Sequence, residues 1–249
     1  MTNDPKALPT RSGGLYETLR DRFGGASPKA SGYRFAFSFF RERRLVLDAV
    51  GDTPGAALDL GCGVGLVSDP LVGRARIVLG IDASALACGE AARRGIAAVR
   101  ADALRLPIAD GTVDTTLVVG FLQELEPDAL PALVAEAGRV LRPGGIAVMA
   151  WRNGRSWMHR LARAAFVPVD RLSGRPPALL HHHAPERVVA LAEDAGLRPE
   201  RVASIFPPLS WQSLELESAG ARLLGTGFLA VFRREPDDGR PGVPDQSRA

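Results

Sequence analysis

The chain has 249 residues, 46% hydrophobic and 24% charged, with 31 Lys and Arg against 28 Asp and Glu. That composition supplies a substantial core, and a net charge of +3 without a continuous basic face or a recognised binding module argues against nucleic acid. No apolar run reaches the length of a membrane span, no hydrophobic signal segment opens the chain, and only two cysteines occur, so a soluble, cytoplasmic protein without a disulfide framework is expected.

Pro and Gly cluster in 1–14 and 234–249, which are expected to be tails flanking one domain over 15–233. Residues 15–50 carry Tyr16 and the run Tyr33-Arg34-Phe35-Ala36-Phe37-Ser38-Phe39-Phe40-Arg41, then a helical pattern through Leu45-Val46-Leu47. Phe35, Phe37 and Phe39 read as packing residues. Next, Ala57-Leu58-Asp59-Leu60-Gly61-Cys62-Gly63-Val64-Gly65-Leu66-Val67 reads as a buried strand, a glycine-rich turn and a following helix. Gly61 and Gly63 permit a sharp turn under a nucleoside, and Gly65 permits close packing of the next helix. The third glycine comes one place too early for the dinucleotide fingerprint Gly-x-Gly-x-x-Gly. Asp59, two residues before the first glycine, suits a ligand with an ammonium group and not a pyrophosphate.

A second strand, Ile77-Val78-Leu79-Gly80-Ile81, ends in Asp82-Ala83. A short third strand at Val99 runs into Asp102-Ala103, and a fourth, Thr112 to Val119, precedes Phe121-Leu122-Gln123-Glu124-Leu125. Asp114 is read as orienting that strand. A helix stops at Leu141-Arg142-Pro143-Gly144-Gly145, and a fifth strand runs to Trp151. Residues 152–200 then hold a helical pattern capped by Ser156, with Trp157, Leu161, Ala164 and Ala165 on one stripe and Arg155, Arg160 and Arg163 away from it. Such a helix either meets an anionic surface or acidic substrate, or is a half-buried cap whose arginines face water. His181, His182 and His183 precede a helix from Pro185 to Gly196, and strands follow at Arg201–Phe206 and Phe228–Phe232. Consecutive histidines seldom converge on one ion and no partner has ligand spacing, so no metal is expected. The alternation of strand and helix patterns predicts an α/β fold with a parallel sheet covered on both faces.

The series over residues 57–151 resembles the successive motifs of the class I S-adenosylmethionine-dependent methyltransferases, of the small-molecule type similar to the quinone-biosynthesis methyltransferases. The resemblance implies a Rossmann-like, seven-stranded, mostly parallel sheet in the order 3-2-1-4-5-7-6 with the last strand antiparallel, helices on both faces and a helical lid. It divides the domain into a lid (15–50), a cofactor half (51–151) and a substrate cap with a late helix (152–200). It implies S-adenosylmethionine as cofactor and S-adenosylhomocysteine as product. Asp59, Gly61, Cys62, Gly63, Gly65, Asp82, Ala83, Asp102, Ala103 and Val119 would line the cofactor, with Asp82 on the ribose hydroxyls and Asp102 on the adenine amino group. Cys62 stands there as a small side chain and not a nucleophile.

Tyr16, Tyr33, Trp151 and His182 are expected at a small-molecule acceptor, most simply a hydroxyl oxygen of a natural product, quinone-type ring or glycolipid. Weak peripheral membrane contact would follow if the acceptor is a lipid, and oligomeric state is not legible. Where many relatives read Leu-x-His-Leu after strand four, this chain has Glu124, which is either a base or a helix-starting carboxylate. His183, nearest the late helix, is the other expected base. The missing family histidine leaves open a second reading, a non-catalytic cofactor-binding partner or regulatory protein.

Overall fold

A strand buried on both faces should read as a continuous apolar run, and Ala56–Leu60, buried throughout, does so at every residue but Asp59 because helices cover both sides of the sheet there. The computed structural model describes residues 36–52, 55–157, 161, 164, 181–205, 214–215 and 225–236. Its strands are β1 (Ala56–Leu60), β2 (Ile77–Asp82), β3 (Ala97–Arg100), β4 (Val113–Val119), β5 (Leu141–Arg152), β6 (Leu197–Ile205), β7 (Leu214–Glu215) and β8 (Gly227–Arg234). The helices among the described residues are α1 (Ala36–Val50), α2 (Ala85–Ala92), α3 (Leu130–Arg139) and α4 (Pro185–Asp194).

The sheet runs β3-β2-β1-β4-β5-β8-β6-β7. The first five strands are mutually parallel, and β8 lies antiparallel between β5 and β6. This is the expected 3-2-1-4-5-7-6 order with β8 in the seventh place, extended at the edge by the two-residue β7. The order reverses between β1 and β4, and the carboxyl ends of the strands at such a reversal are where open α/β sheets bind their ligands.

Successive side chains of a strand point to opposite faces. Leu58, Leu60, Val118, Met149 and Trp151 therefore pack on one side with Leu133 and Ala137 of α3 and Val188 and Ala192 of α4. Ala57, Leu117, Val148 and Ala150 pack on the other with Val46 and Val50 of α1 and Ala91 of α2. Each buried aliphatic side chain of this size contributes about 1.5–3 kcal/mol. Phe39 is buried, as a packing residue of α1 should be, whereas its neighbour Phe40 is exposed.

One expected element is absent. After Gly65 the chain makes turns and a single 3₁₀ turn, Asp69–Leu71, in place of a helix. Pro70 enters that turn and Gly73 leaves it at φ +84°, so two residues that disfavour helix interiors fall within one helical span. Gly65 is still needed for close packing, but against different atoms: a Cβ there would lie 2.4 Å from Ile96 Cδ1 and 3.3 Å from Ala91 Cβ. An ion-pair cluster holds the turn instead. Arg43 of α1 donates to Leu66 O (3.1 Å) and Asp69 Oδ1 (3.2 Å), and Arg94 donates to Asp69 Oδ2 (3.0 Å).

Leu141-Arg142-Pro143-Gly144-Gly145 is not a stop before strand five but its bulged beginning. Val113 pairs with Leu141 and Thr115 next with Ile146, so the intervening residues loop out. Asp114 orients this edge as read from the sequence: its Oδ2 accepts from Ala56 N–H (2.6 Å), and Arg142 pairs with Oδ1.

Candidate functional site

The glycine-rich loop is stitched to strand β2. Gly61 and Cys62 N–H groups both donate to Ile81 O (2.8 and 3.0 Å), and Gly63 N–H donates to Asp82 Oδ2 (2.9 Å). Both Gly61 (φ +70°) and Gly63 (φ +52°) adopt the left-handed region, which a Cβ penalises. Their surroundings differ. A Cβ on Gly61 would lie 2.5 Å from Phe121 Cγ, whereas one on Gly63 would meet nothing within 4 Å. Gly61 is thus fixed by packing, and Gly63 borders open space.

Asp59, the penultimate residue of β1, is 2% exposed and its Oδ2 has no hydrogen-bond partner. Burial pushes its carboxyl up to about 7, with the Ser68 hydroxyl offsetting part of the rise and the nearby Asp82 charge adding a little to it. The Ser68 hydroxyl is buried and, like Asp59 Oδ2, lacks a well-directed hydrogen bond. An acid with an orphan oxygen in a protein interior normally has a partner in the working state. A cation fits that requirement.

Asp82 closes β2. Its Oδ1 accepts from Ser84 N–H (2.8 Å) and its Oδ2 from Gly63 N–H, leaving each oxygen a further lone pair for a hydroxyl. Burial raises its pKa, and the N–H bonds of Ser84, Gly63 and Ala83 counter part of that rise. Ala83 beside it holds Arg100 through its carbonyl (3.0 Å). Asp102 Oδ1 accepts from Leu104 N–H (2.9 Å), an Asx turn that fixes the carboxylate just past β3. Ala103 is buried and Val119 half-buried at the ends of their segments.

Cys62 is buried with Sγ 3.5 Å from Gly63 O. A hydrogen bond with Cys88, together with burial, pushes its thiol well above the ordinary range, which makes it a poor nucleophile. These residues fit an adenosine ligand carrying an ammonium: an orphan acid at β1, a diol acceptor at β2, an acceptor past β3, and open space over Gly63.

The residues expected at the acceptor are distributed differently. His183 is 4% exposed, and its Nε2 lies 2.9 Å from Leu122 O and 3.2 Å from Leu125 O. Both partners are acceptors, so Nε2 carries the proton. Burial lowers its pKa against the smaller raising effect of those carbonyls. The ring therefore clamps the turn after β4 through its Nε2 proton, which leaves Nδ1 as the nitrogen with a free lone pair.

Trp151, expected at the substrate, is 1% exposed in the core against Phe228, and its Nε1 donates to His183 O (3.0 Å). The reason is strand alternation: its side chain follows Met149 onto the α3 and α4 face. His182 is exposed and occupies the space where a side chain on Gly154 would stand, since a Cβ there would lie 1.6 Å from its Nδ1.

Glu124 lies exposed in a 3₁₀ turn, Leu122–Glu124, and not in the first turn of α3, which begins at Leu130. Gln123 gave no signal in the sequence, yet it is 5% exposed, its Oε1 accepts from Arg152 N–H (3.2 Å), and its carbonyl accepts from His181 N–H (2.7 Å).

Tyr16, Tyr33, the lid over 15–35 and the tail from 237 lie outside the described residues. Of the basic helical segment, Arg155, Trp157, Leu161 and Ala164 are exposed and Ser156 is buried, so three residues of the expected apolar stripe meet solvent. No described helix is long and apolar enough to cross a membrane, and no group of three or more His, Cys, Asp or Glu among the described residues could hold a metal ion.

Comparison with known proteins agrees with this geometry. Residues 58–149 match a family model described as a methyltransferase domain. A demethylmenaquinone methyltransferase of Beutenbergia cavernae is 33% identical over 196 residues, 77% of this chain and 78% of that protein. Its counterpart in Renibacterium salmoninarum is 39% identical over 206 residues, 78% of this chain and 80% of that protein. Among solved structures, an S-adenosylmethionine-dependent methyltransferase of Thermotoga maritima superposes with a TM-score of 0.65 at 19% identity, over 90% of this chain and 99% of that one.

Proposed function

Because the chain belongs to the class I S-adenosylmethionine-dependent methyltransferases, we propose that it methylates a quinol-type aromatic ring. The observation that carries this reading is the extent of the match to the two demethylmenaquinone methyltransferases. Their identity runs over 196 and 206 residues, well past the 58–149 span of the shared cofactor domain, so the likeness is not confined to the part of the chain that every such methyltransferase shares.

When bound, S-adenosylmethionine supplies a methyl group already activated on a sulfonium. The chain's own residues then bind and place. Asp59 would meet the ammonium end, Asp82 would accept from the ribose hydroxyls and Asp102 from the adenine amino group, and Gly63 leaves room above the loop. Holding the two reactants about 3 Å apart and in line contributes several kcal/mol.

A hydroquinone suits what stands after β4. An alcohol acceptor needs a base to take its proton, whereas the His183 ring is buried and held through Nε2 by two carbonyls, and Glu124 lies exposed. An electron-rich ring whose hydroxyl ionises readily asks for placement alone, and it offers either the oxygen or an adjacent ring carbon.

The test is incubation of the full chain with labelled S-adenosylmethionine and a panel of short-chain 1,4-naphthohydroquinones, simple phenols, amines and sugar alcohols, with product mass read by chromatography. Turnover of the hydroquinones above the others is expected. Methylation confined to amines or sugars would overturn the acceptor class and leave the cofactor assignment standing.

A further inference from the structure

Four hydrogen bonds converge on the turn after β4 from two other parts of the chain. His183 Nε2 donates to Leu122 O (2.9 Å) and Leu125 O (3.2 Å), His181 N–H donates to Gln123 O (2.7 Å), and Arg152 N–H donates to Gln123 Oε1 (3.2 Å). The clamp is itself held, because Trp151 Nε1 donates to His183 O (3.0 Å). Within the turn, Glu124 N–H donates to Phe121 O (2.9 Å) and Leu125 N–H to Leu122 O (3.1 Å). A turn this short leans on outside partners. Its first residue, Phe121, presses on the cofactor loop at Gly61.

We infer that Gln123 and His183 are positioning residues for methyl transfer, a latch that fixes the Phe121–Leu125 turn against the glycine-rich loop and so sets the acceptor's approach. The inference rests on the methyl-transfer reading above. The chemistry of the latch is directional. His183 acts as an N–H donor, a part that a glutamine amide of similar reach can take, and Gln123 acts through an acceptor oxygen that a carboxylate can replace. A base at 183 could not be replaced in that way.

The experiment uses the full chain with His183→Leu, His183→Gln, Gln123→Leu and Gln123→Glu. Acceptor kinetics are measured with the best hydroquinone of the panel, and S-adenosylhomocysteine affinity by calorimetry. The leucine variants are expected to lose about 10- to 100-fold in kcat/KM for the acceptor, with cofactor affinity within about twofold. His183→Gln and Gln123→Glu are expected to recover most of that loss, and His183→Gln to keep the parent pH–rate profile. His183→Gln as inactive as His183→Leu, with a limb of the profile gone, would make His183 a base and overturn the latch. Parental kinetics in His183→Leu would overturn it too.

Amide hydrogen exchange over 121–125 reads the latch without any acceptor, and serves if one leucine variant folds poorly. Fast exchange in the leucine variants with parental protection in His183→Gln supports the inference, and parental protection throughout overturns it. A parent that methylates no hydroquinone yet shows this exchange pattern counts against the acceptor reading alone.

Discussion

Replacing Asp59 with asparagine should make the cofactor-free protein more stable while weakening its hold on the cofactor. Burial raises the Asp59 carboxyl from 3.8 to about 7, so keeping it ionised in the fold costs up to about 4 kcal/mol, from roughly 3 pH units at 1.36 kcal/mol each. The sign follows from linkage. As pH rises the unfolded chain loses this proton first, near pH 4, and the folded chain only near 7, so the unfolded state binds fewer protons across that window and stability falls through it. Above about pH 7 the full penalty is present, and below about pH 4 it vanishes.

The test is urea unfolding of parent and Asp59→Asn at pH 8 and pH 5, without cofactor. The variant is expected to gain about 1–4 kcal/mol at pH 8 and clearly less at pH 5, the spread reflecting how well the new amide is accommodated beside Ser68. Calorimetry with S-adenosylmethionine should show about 10- to 100-fold weaker binding, the worth of one charge-assisted hydrogen bond. Parent binding should tighten from pH 6 to pH 8, because the carboxyl must lose its proton to meet an ammonium. A variant that is no more stable at pH 8 would refute the electrostatic reasoning, and unchanged affinity would refute the assignment of Asp59 to the cofactor's cationic end.

Asp82→Ala removes acceptors for both Gly63 N–H and a ribose diol. It should weaken cofactor binding by about 1–3 kcal/mol in calorimetry; unchanged binding would move the ribose elsewhere. Gly61→Ala drives a Cβ into Phe121 and should lower the melting temperature markedly. Gly63→Ala meets open space, so it should cost only the roughly 1–2 kcal/mol of its left-handed backbone yet reduce cofactor affinity at least about tenfold; thermal melts and calorimetry separate the two, and an unaltered affinity in Gly63→Ala would show that the ligand passes elsewhere. The hydrogen bond from Arg139 holds the Glu136 carboxyl below its ordinary range, and Glu136 also accepts from Leu106 N–H (2.6 Å). Its contribution is therefore present above the unfolded pKa and lost as pH falls through the folded one. Glu136→Gln should cost about 1–2 kcal/mol in urea melts at pH 7 and progressively less as pH falls below the ordinary glutamate range; a pH-independent deficit would disprove the ionic origin.

The cofactor half was legible because its signals are local. A β1 burial pattern, an acid at a fixed offset from glycines, and an acid closing β2 are properties of short windows, and the structure gathers Asp59, Gly63 and Asp82 at one end of the sheet. What escaped depends on distance along the chain. His183 meets Leu122 across 61 positions, and no spacing rule says that its ring will spend Nε2 on carbonyls. Trp151 is expected at the acceptor from the resemblance, whereas what buries it is strand alternation in a sheet covered on both faces, its partner Phe228 lying 77 positions on. Gln123 is one polar letter among several. The helix expected after Gly65 was overridden by Pro70 and Gly73, both of which were in plain view.

The place of β8 bears on how the molecule is made. It comes after β5 and β6 in the chain and yet is the strand between them, pairing with β5 from Ile146 to Arg152 on one side and with β6 on the other. During synthesis the free edges of β5 and β6 therefore stay open until residues 227–234 emerge, a window in which unpaired backbone invites association with other chains. The first four strands and α1, whose Arg43 and Arg94 contacts with Asp69 span about 25 positions, can settle long before that. Ribosome-bound fragments should thus acquire a protease-resistant amino-terminal portion early, while solubility of the nascent chain waits on its last interior strand.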